Sequence, residues 1–339
     1  MKKQILILVL FVLAAFANVE KSYGQTCTPG ALNPAAGVAY DYEVTVSGTV
    51  GGTAPVYLWY VTQDVNLLTG AKIAAGVDFA VNAGAGLSAY NSAAGTTNKI
   101  NLTWTPAAVA NVNPYYLVVK YSETSAVGCT VENMKVWLID PINTFLLALE
   151  ASDLTGNVAN DNTCPPAVDG AIVTPGATPA AYTIAYTYGQ TIISYKVTAS
   201  GTNGTWTPSL QLPALGILGQ NYNAAEWSLD GATNWNTFGL TDGDVAGGNY
   251  TSAVTTAPVT VAGSTIIIRV KIDNVNFESL AAQPILAGVD GVLPSGVKDI
   301  KSAIDCTDEA DFGKTDTYTV NPRPTVAPTT LPAFITKNP

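Results

Sequence analysis

The sequence contains no histidine. That absence removes the commonest general base, the Ser-His and Cys-His nucleophile pairs and most zinc sites. Any catalysis would have to rest on carboxylates, tyrosine or lysine. Charge is also scarce. Asp, Glu, Lys and Arg make up 12% of the 339 residues, against about 25% in an average protein. No run of Lys or Arg occurs and the net charge is −10, which argues against nucleic acid and anionic lipid as partners. Beyond residue 17 no second long apolar run appears, so the mature chain is expected to hold no membrane span. No two cysteines have CxxC spacing, which excludes that redox or metal motif. No segment sustains a capped 3.6-residue periodicity, so helices are not expected.

What is present begins with an export signal. Met1-Lys2-Lys3 is a short basic start, Ile5 to Ala17 is an apolar run too short to span a bilayer comfortably, and Ser22-Tyr23-Gly24 reads as a peptidase site. Residues 1–24 are therefore expected to be a signal peptide, with Gln25 as the mature N-terminus. Losing Lys2, Lys3, Lys21 and Glu20 with that leader takes the charge from −10 to −12. The expected destination is extracellular: secreted, or held at the cell surface by partners.

Four cysteines, Cys27, Cys129, Cys164 and Cys306, in an exported chain suggest disulfides. Three pairings are open. The arrangement favours Cys27–Cys129 and Cys164–Cys306, each pair bracketing one domain. In the chain-entropy model a loop of about 100 residues closed in this way stabilises by roughly 4–5 kcal/mol. A boundary near residue 142 also follows from two similar endings, Val136-Trp137-Leu138-Ile139-Asp140-Pro141 and Tyr318-Thr319-Val320-Asn321-Pro322. These read as a diverged duplication. The expected layout is one β-sandwich over 25–142, a second over 143–324, and a tail over 325–339.

Period-2 alternation is the dominant signal. Tyr40, Tyr42, Val44 and Val46 alternate with Asp41, Glu43, Thr45 and Ser47, and Ile100, Leu102 and Trp104 with Asn101, Thr103 and Thr105. Val56–Thr62 is apolar on both faces, as in a central strand. Further strands are expected at Tyr115–Tyr121, Met134–Ile139, Phe145–Leu149, Ala181–Tyr188, Ile192–Ala199, Ala225–Leu229, Thr265–Ile272 and Thr315–Val320. The fold class is all-β, two tandem β-sandwiches.

Tyr57-Leu58-Trp59, Ile100-Asn101-Leu102-Thr103-Trp104, Tyr116-Leu117-Val118-Val119, Cys129 and the strand ending at Ile139 together resemble the PKD-like and Ig-like modules of surface proteins from gliding bacteria with type IX secretion. The resemblance covers roughly residues 39–140. It implies a β-sandwich at the cell surface, often in adhesins or long filamentous proteins, and no catalytic residues. Ser228-Leu229-Asp230-Gly231-Ala232-Thr233-Asn234-Trp235 resembles the Asp-box hairpin of sialidases, with Ala232 where that box has glycine and in one copy only. The resemblance implies a structural turn.

Candidate sites are few. Asp305, Asp308, Glu309 and Asp311, with Asp316 nearby, gather oxygens that suit Ca²⁺, without EF-hand spacing; Thr241-Asp242-Gly243-Asp244 is a looser candidate. Each is equally a solvated acidic loop. No cofactor other than Ca²⁺ is expected. Trp206, Trp227 and Trp235, with Tyr222, would stack on sugar faces if exposed and coplanar, or fill the core if not. Glu123, Glu132, Glu226 and Glu278 are scattered, and nothing pairs two of them for glycoside cleavage, so no enzyme is expected. The tail from Arg323 carries Pro324, Pro328, Pro332 and Pro339 and should be extended. Its Val326, Leu331, Phe334 and Ile335 either dock on a neighbour's sheet edge or belong to a disordered terminus. The expected function is therefore a structural or adhesive surface protein that associates with itself or with other surface proteins. The alternative is a non-catalytic glycan-binding protein.

Overall fold

The computed structural model describes residues 28–324 apart from 178–180, 182, 202–204, 216–218, 240–246, 252–263, 276 and 279. The expected signal peptide, Cys27, the Thr241-Asp242-Gly243-Asp244 segment and the expected tail with Val326, Leu331, Phe334 and Ile335 lie outside the described residues. The fold is all-β, with about half of the described residues in strands. It divides into two compact units: residues through Thr144 together with Ile300–Asp308, and Phe145–Asp299 together with the chain from Glu309. The cut falls between Thr144 and Phe145. The return of Ile300–Asp308 to the first unit was not expected.

The first unit holds β1 (Ala39–Glu43), β2 (Val56–Thr62), β3 (Phe79–Val81), β4 (Lys99–Trp104), β5 (Tyr115–Thr124) and β6 (Thr130–Ile139), with one helical turn, α1 (Pro106–Val109). They form two antiparallel three-stranded sheets, β1-β4-β3 and β2-β5-β6. The alternating residues supply the core between them: Tyr42, Ile100, Leu102, Trp104 and Phe79 from one sheet, and Tyr57, Trp59, Tyr115, Leu117 and Val119 from the other. Burying such aromatic rings dominates the stability of a small sandwich. Val56–Thr62, read as a central strand, lies at an edge, with β5 in the middle. Its second flank is covered by loop instead: Tyr57 N–H donates to Gly95 O, Ile73 N–H to Val61 O and Asn91 N–H to Trp59 O, at 2.7, 2.8 and 2.7 Å. Loop cover buries both faces of a strand as well as a sheet neighbour would.

The second unit holds β7 (Leu146–Ser152), β8 (Asn162–Thr163), β9 (Val168–Thr174), β10 (Thr183–Ser200), β11 (Thr207–Leu212), β12 (Asn221–Ser228), β13 (Asn236–Thr237), β14 (Gly248–Thr251), β15 (Ser264–Val275), β16 (Gln283–Val292) and, after the hairpin β17 (Ile300–Ser302) and β18 (Asp305–Asp308), β19 (Lys314–Val320). One sheet runs β13-β12-β15-β10-β7, with β9 also on β10, and the other β14-β11-β16-β19-β8. The two strands expected at Ala181–Tyr188 and Ile192–Ala199 are one 18-residue strand. Its first half pairs with β9 and its second with β7, while β15 pairs with Tyr188–Ala199. Tyr195, fully buried, joins the sheets through its hydroxyl, which donates to Ile285 O at 2.7 Å.

The disulfide arrangement differs from expectation. Cys129 and Cys164 are free and exposed, so neither Cys27–Cys129 nor Cys164–Cys306 forms. Cys306, on β18, is disulfide-bonded. Cys129 sits in the tight β5–β6 hairpin, where its N–H donates to Ser125 Oγ at 3.1 Å, and a tip held this way points the thiol to water. Native iodoacetamide labelling without reductant is therefore expected to modify both Cys129 and Cys164. Protection of either thiol, read by peptide mass spectrometry, would contradict this arrangement.

Candidate functional site

A groove of about 520 Å³ opens in the first unit between the chain leaving β1 (Glu43–Ser47) and the outer strand β6. Its apolar lining is Val44, Val46, Val119, Tyr121, Met134 and Trp137, with Glu43, Asn133 and Lys135 among its polar residues. Val44, Val46 and Trp137 are half-buried against the core, so the groove is the open end of the space between the sheets. Trp137 stacks on Trp59 at 5.7 Å with 14° between planes and meets Tyr42 edge-on at 6.2 Å. That packing fixes one wall.

The far wall is fixed by Glu123. Its carboxylate accepts the Tyr121 O–H at 2.6 Å and the Val50 and Gly51 N–H groups at 3.1 and 3.0 Å. These donors, Tyr121 first, hold the Glu123 carboxyl below its ordinary value. Donation to Glu123, and then burial, push the Tyr121 phenol up to about 12. Gly52 permits the close approach: a Cβ there would come 1.8 Å from Thr124 O. Glu123, read as a scattered carboxylate, is thus a structural clamp.

Beside the groove lies an unpaired strand edge. Among the described residues β6 pairs with β5 alone, over ten residues. Val131, Met134 and Leu138 on it are 38, 40 and 54% exposed. The sheet orders β1-β4-β3 and β2-β5-β6 correspond to the B-E-D and C-F-G strands of an Ig-type sandwich. Among the described residues no strand takes the first, A, position beside β1. Residues 32–36 approach that side only near Asp140 and Ile142, through the Asp140 and Ile142 N–H groups and the Ala35–Ile142 bridge. The stretch from Thr130 to Leu138 is left open. A long strand edge of this kind can template pairing with another chain.

The other expected sites fare differently. Trp206 and Trp227 are 4 and 1% exposed and cannot stack on a sugar. Trp206 packs on Phe145 at 5.9 Å. Trp235 is half-buried under the Arg269 guanidinium, 3.8 Å from the ring centroid, and Arg269 also pairs with Glu226 at 2.6 Å. The glycan platform is corrected: Trp206 and Trp227 fill the core, and Trp235 is covered by Arg269. The Asp-box-like segment is a turn, as its resemblance implied. Asp230 accepts the Ala232 and Thr233 N–H groups at 2.9 Å, and Gly231 supplies a φ of +68°.

Asp305, Asp308, Glu309 and Asp311 do not form a ligand shell. Asp305 accepts from Thr307, Glu309 pairs with Lys314 at 2.8 Å, and Asp311 pairs with Lys298. Lysines answer the charge that Ca²⁺ would otherwise answer, and among the described residues no three His, Cys, Asp or Glu side chains converge for a metal. Sequence reading missed a buried pair, Asp290 and Asp299. Both carboxylates accept the Gly291 N–H, at 2.9 and 3.1 Å. An Asp-Gly step near the end of a strand looks like an ordinary turn, and only the fold brings Asp299 back to it.

No helix among the described residues is long and apolar enough to cross a membrane. No protein-family model matches the chain, and no curated protein does. Among solved structures it is similar to one named BspA_C_mut, at 9% identity over 66% of this chain and a TM-score of 0.28; the chain spans 59% of that structure's length. It is also similar to the major pilin subunit of Bacillus cereus, at 9% identity over 84% of this chain and 69% of that one, with a TM-score of 0.29. The collagen adhesin of S. aureus matches at 7% identity over 86% of this chain and 90% of that one, with a TM-score of 0.21.

Proposed function

We propose that this chain is an exported structural or adhesive protein of the cell surface or its matrix, and that it associates through strand edges. The observation that carries the reading is the unpaired β6 edge, with Val131, Met134 and Leu138 exposed beside an apolar groove. Natural sheet proteins protect such edges unless they use them. The export signal and the surface-module resemblance of residues 39–140 agree with that placement, and the low charge favours subunits that pack against one another. The reading assigns no catalytic role and no glycan platform.

The test is sedimentation velocity of the purified chain from Gln25 across a wide concentration range, together with negative-stain electron microscopy of material shed from native cells, the chain being identified by mass spectrometry. Concentration-dependent oligomers or filaments containing the chain are expected. A chain that stays monomeric at high concentration, and is absent from shed assemblies, overturns the reading.

A further inference from the structure

We propose that the groove and the β6 edge of the first unit receive residues 325–337 of a second copy of this chain as an added strand. This rests on the associative reading above and names the joint. An added strand needs three things: a free backbone edge, an apolar slot beside it, and a segment able to bond along one side.

The first two are on the receiving unit. β6 offers ten residues of edge, and Val44, Val46 and Trp137 line the slot that leads to the core. The β2 edge of the same sheet is closed by loop hydrogen bonds, so β6 is the flank on which that sheet can grow.

The third is in the sequence of the tail. Successive residues of a strand turn their N–H and C=O groups to opposite edges, and proline is tolerated only where its missing N–H faces away from the ladder. Pro322, Pro324, Pro328 and Pro332 all stand at even positions. Every odd position from Arg323 to Lys337 keeps its N–H. A strand from this segment can pair along its odd side only, and its proline side stops further growth, as suits a joint between two subunits. Side chains alternate as well. Leu331 and Ile335 fall on one face, Val326 and Phe334 on the other, so either face brings two large apolar groups to the slot.

Reach is sufficient. Arg323 fastens the chain to its own unit, hydrogen-bonding Pro166 O and lying 4.7 Å from the Tyr188 ring centroid. The 15 residues from Thr325 extend to about 50 Å, and ten residues of strand need about 33 Å.

Proline parity supplies the test. In sedimentation velocity of the chain from Gln25, Ala333→Pro removes an odd N–H and should weaken association by about tenfold or more. Thr330→Pro, on the proline side, should leave it within about twofold. A second measurement introduces Met134→Cys and Ala333→Cys with Cys129 and Cys164 changed to serine. Oxidation should then give covalent dimers and longer ladders on non-reducing gels. Equal effects of the two prolines, or cross-linking confined to monomers, overturn the joint while leaving an associating surface protein intact. Absence of association in the unsubstituted chain overturns both.

Discussion

Replacing Trp104 by alanine is expected to unfold the first unit or bring it to the edge of unfolding. Trp104 is fully buried. Its ring lies 4.9 Å from Tyr115 and 5.4 Å from Phe79, and its Nε1–H donates to the Tyr42 hydroxyl at 3.2 Å. Tyr42 in turn donates to Ala31 O at 2.8 Å. One substitution therefore opens a cavity where three aromatic partners meet and leaves a buried hydroxyl short of a donor. Truncating a buried Trp costs about 3–5 kcal/mol, against a total of about 5–15 kcal/mol for a typical domain. Urea unfolding followed by near-ultraviolet circular dichroism should show the midpoint falling sharply. Met134→Ala, at an exposed position, should stay within about 0.5 kcal/mol of the unsubstituted chain. Equal midpoints for the two variants would contradict the core assignment.

The second large effect is a fall in stability as pH rises, set by Asp299. Its side chain is fully buried, its Oδ2 meets no donor among the described residues, and Asp290 lies beside it at 7% exposure. Burial first, and the Asp290 carboxyl second, push the Asp299 carboxyl up to about 8. The neighbouring charges are already paired: Lys298 with Asp311, and Lys314 with Glu309, whose N–H donates to Asp299 O. Ser209 faces Asp290 across the β11–β16 ladder, and Phe145 and Leu147 pack on Gly291.

Below the ordinary value of 3.8 folded and unfolded chains both hold this proton. Between there and about pH 8 the folded chain holds it and the unfolded chain does not, so stability falls with rising pH across that window. The slope for one proton is at most about 1.4 kcal/mol per pH unit. Asp299→Asn keeps the shape, cannot ionise and offers Asp290 a donor. Denaturation at pH 5, 7 and 9 should show the unsubstituted second unit losing stability at each step and the Asn variant changing much less. Parallel slopes would contradict the shared proton. Stability that depends on added Ca²⁺ at pH 7 would mean that a cation holds the pair.

The strands that alternation exposes were legible: Tyr40–Glu43, Val56–Thr62, Ile100–Trp104, Tyr115–Tyr121 and Thr315–Val320 all lie in strands. β11 and β16 were not. β16 reads Gln-Pro-Ile-Leu-Ala-Gly-Val-Asp-Gly-Val, whose proline and glycines look like loop signals. Those glycines serve close packing instead. A Cβ at Gly288 would come 2.8 Å from Phe312 O, and one at Gly291 would come 2.8 Å from Leu147 Cδ1. β11 begins at Thr207-Pro208, after Trp206, and its proline pairs opposite Gly291. The groove was half legible. Val44 and Val46 were read correctly as an inward face, but no local pattern tells whether a second strand lies over that face.

The sequence by itself determined the class of this protein: poor in charge, without histidine chemistry, and built of alternating strands. Those properties depend on composition and on the two-residue period, which each segment carries alone. Tertiary structure decided which cysteines stay free, that two of the three candidate tryptophans are core rather than surface, that lysines neutralise the acidic loop, and that Asp290 meets Asp299. It also decided that, among the described residues, β6 pairs on one side only. Each of these depends on which strands become neighbours, and strand neighbours are chosen by long-range packing between segments up to 165 residues apart, as in the Ala151 N–H bond to Asp316.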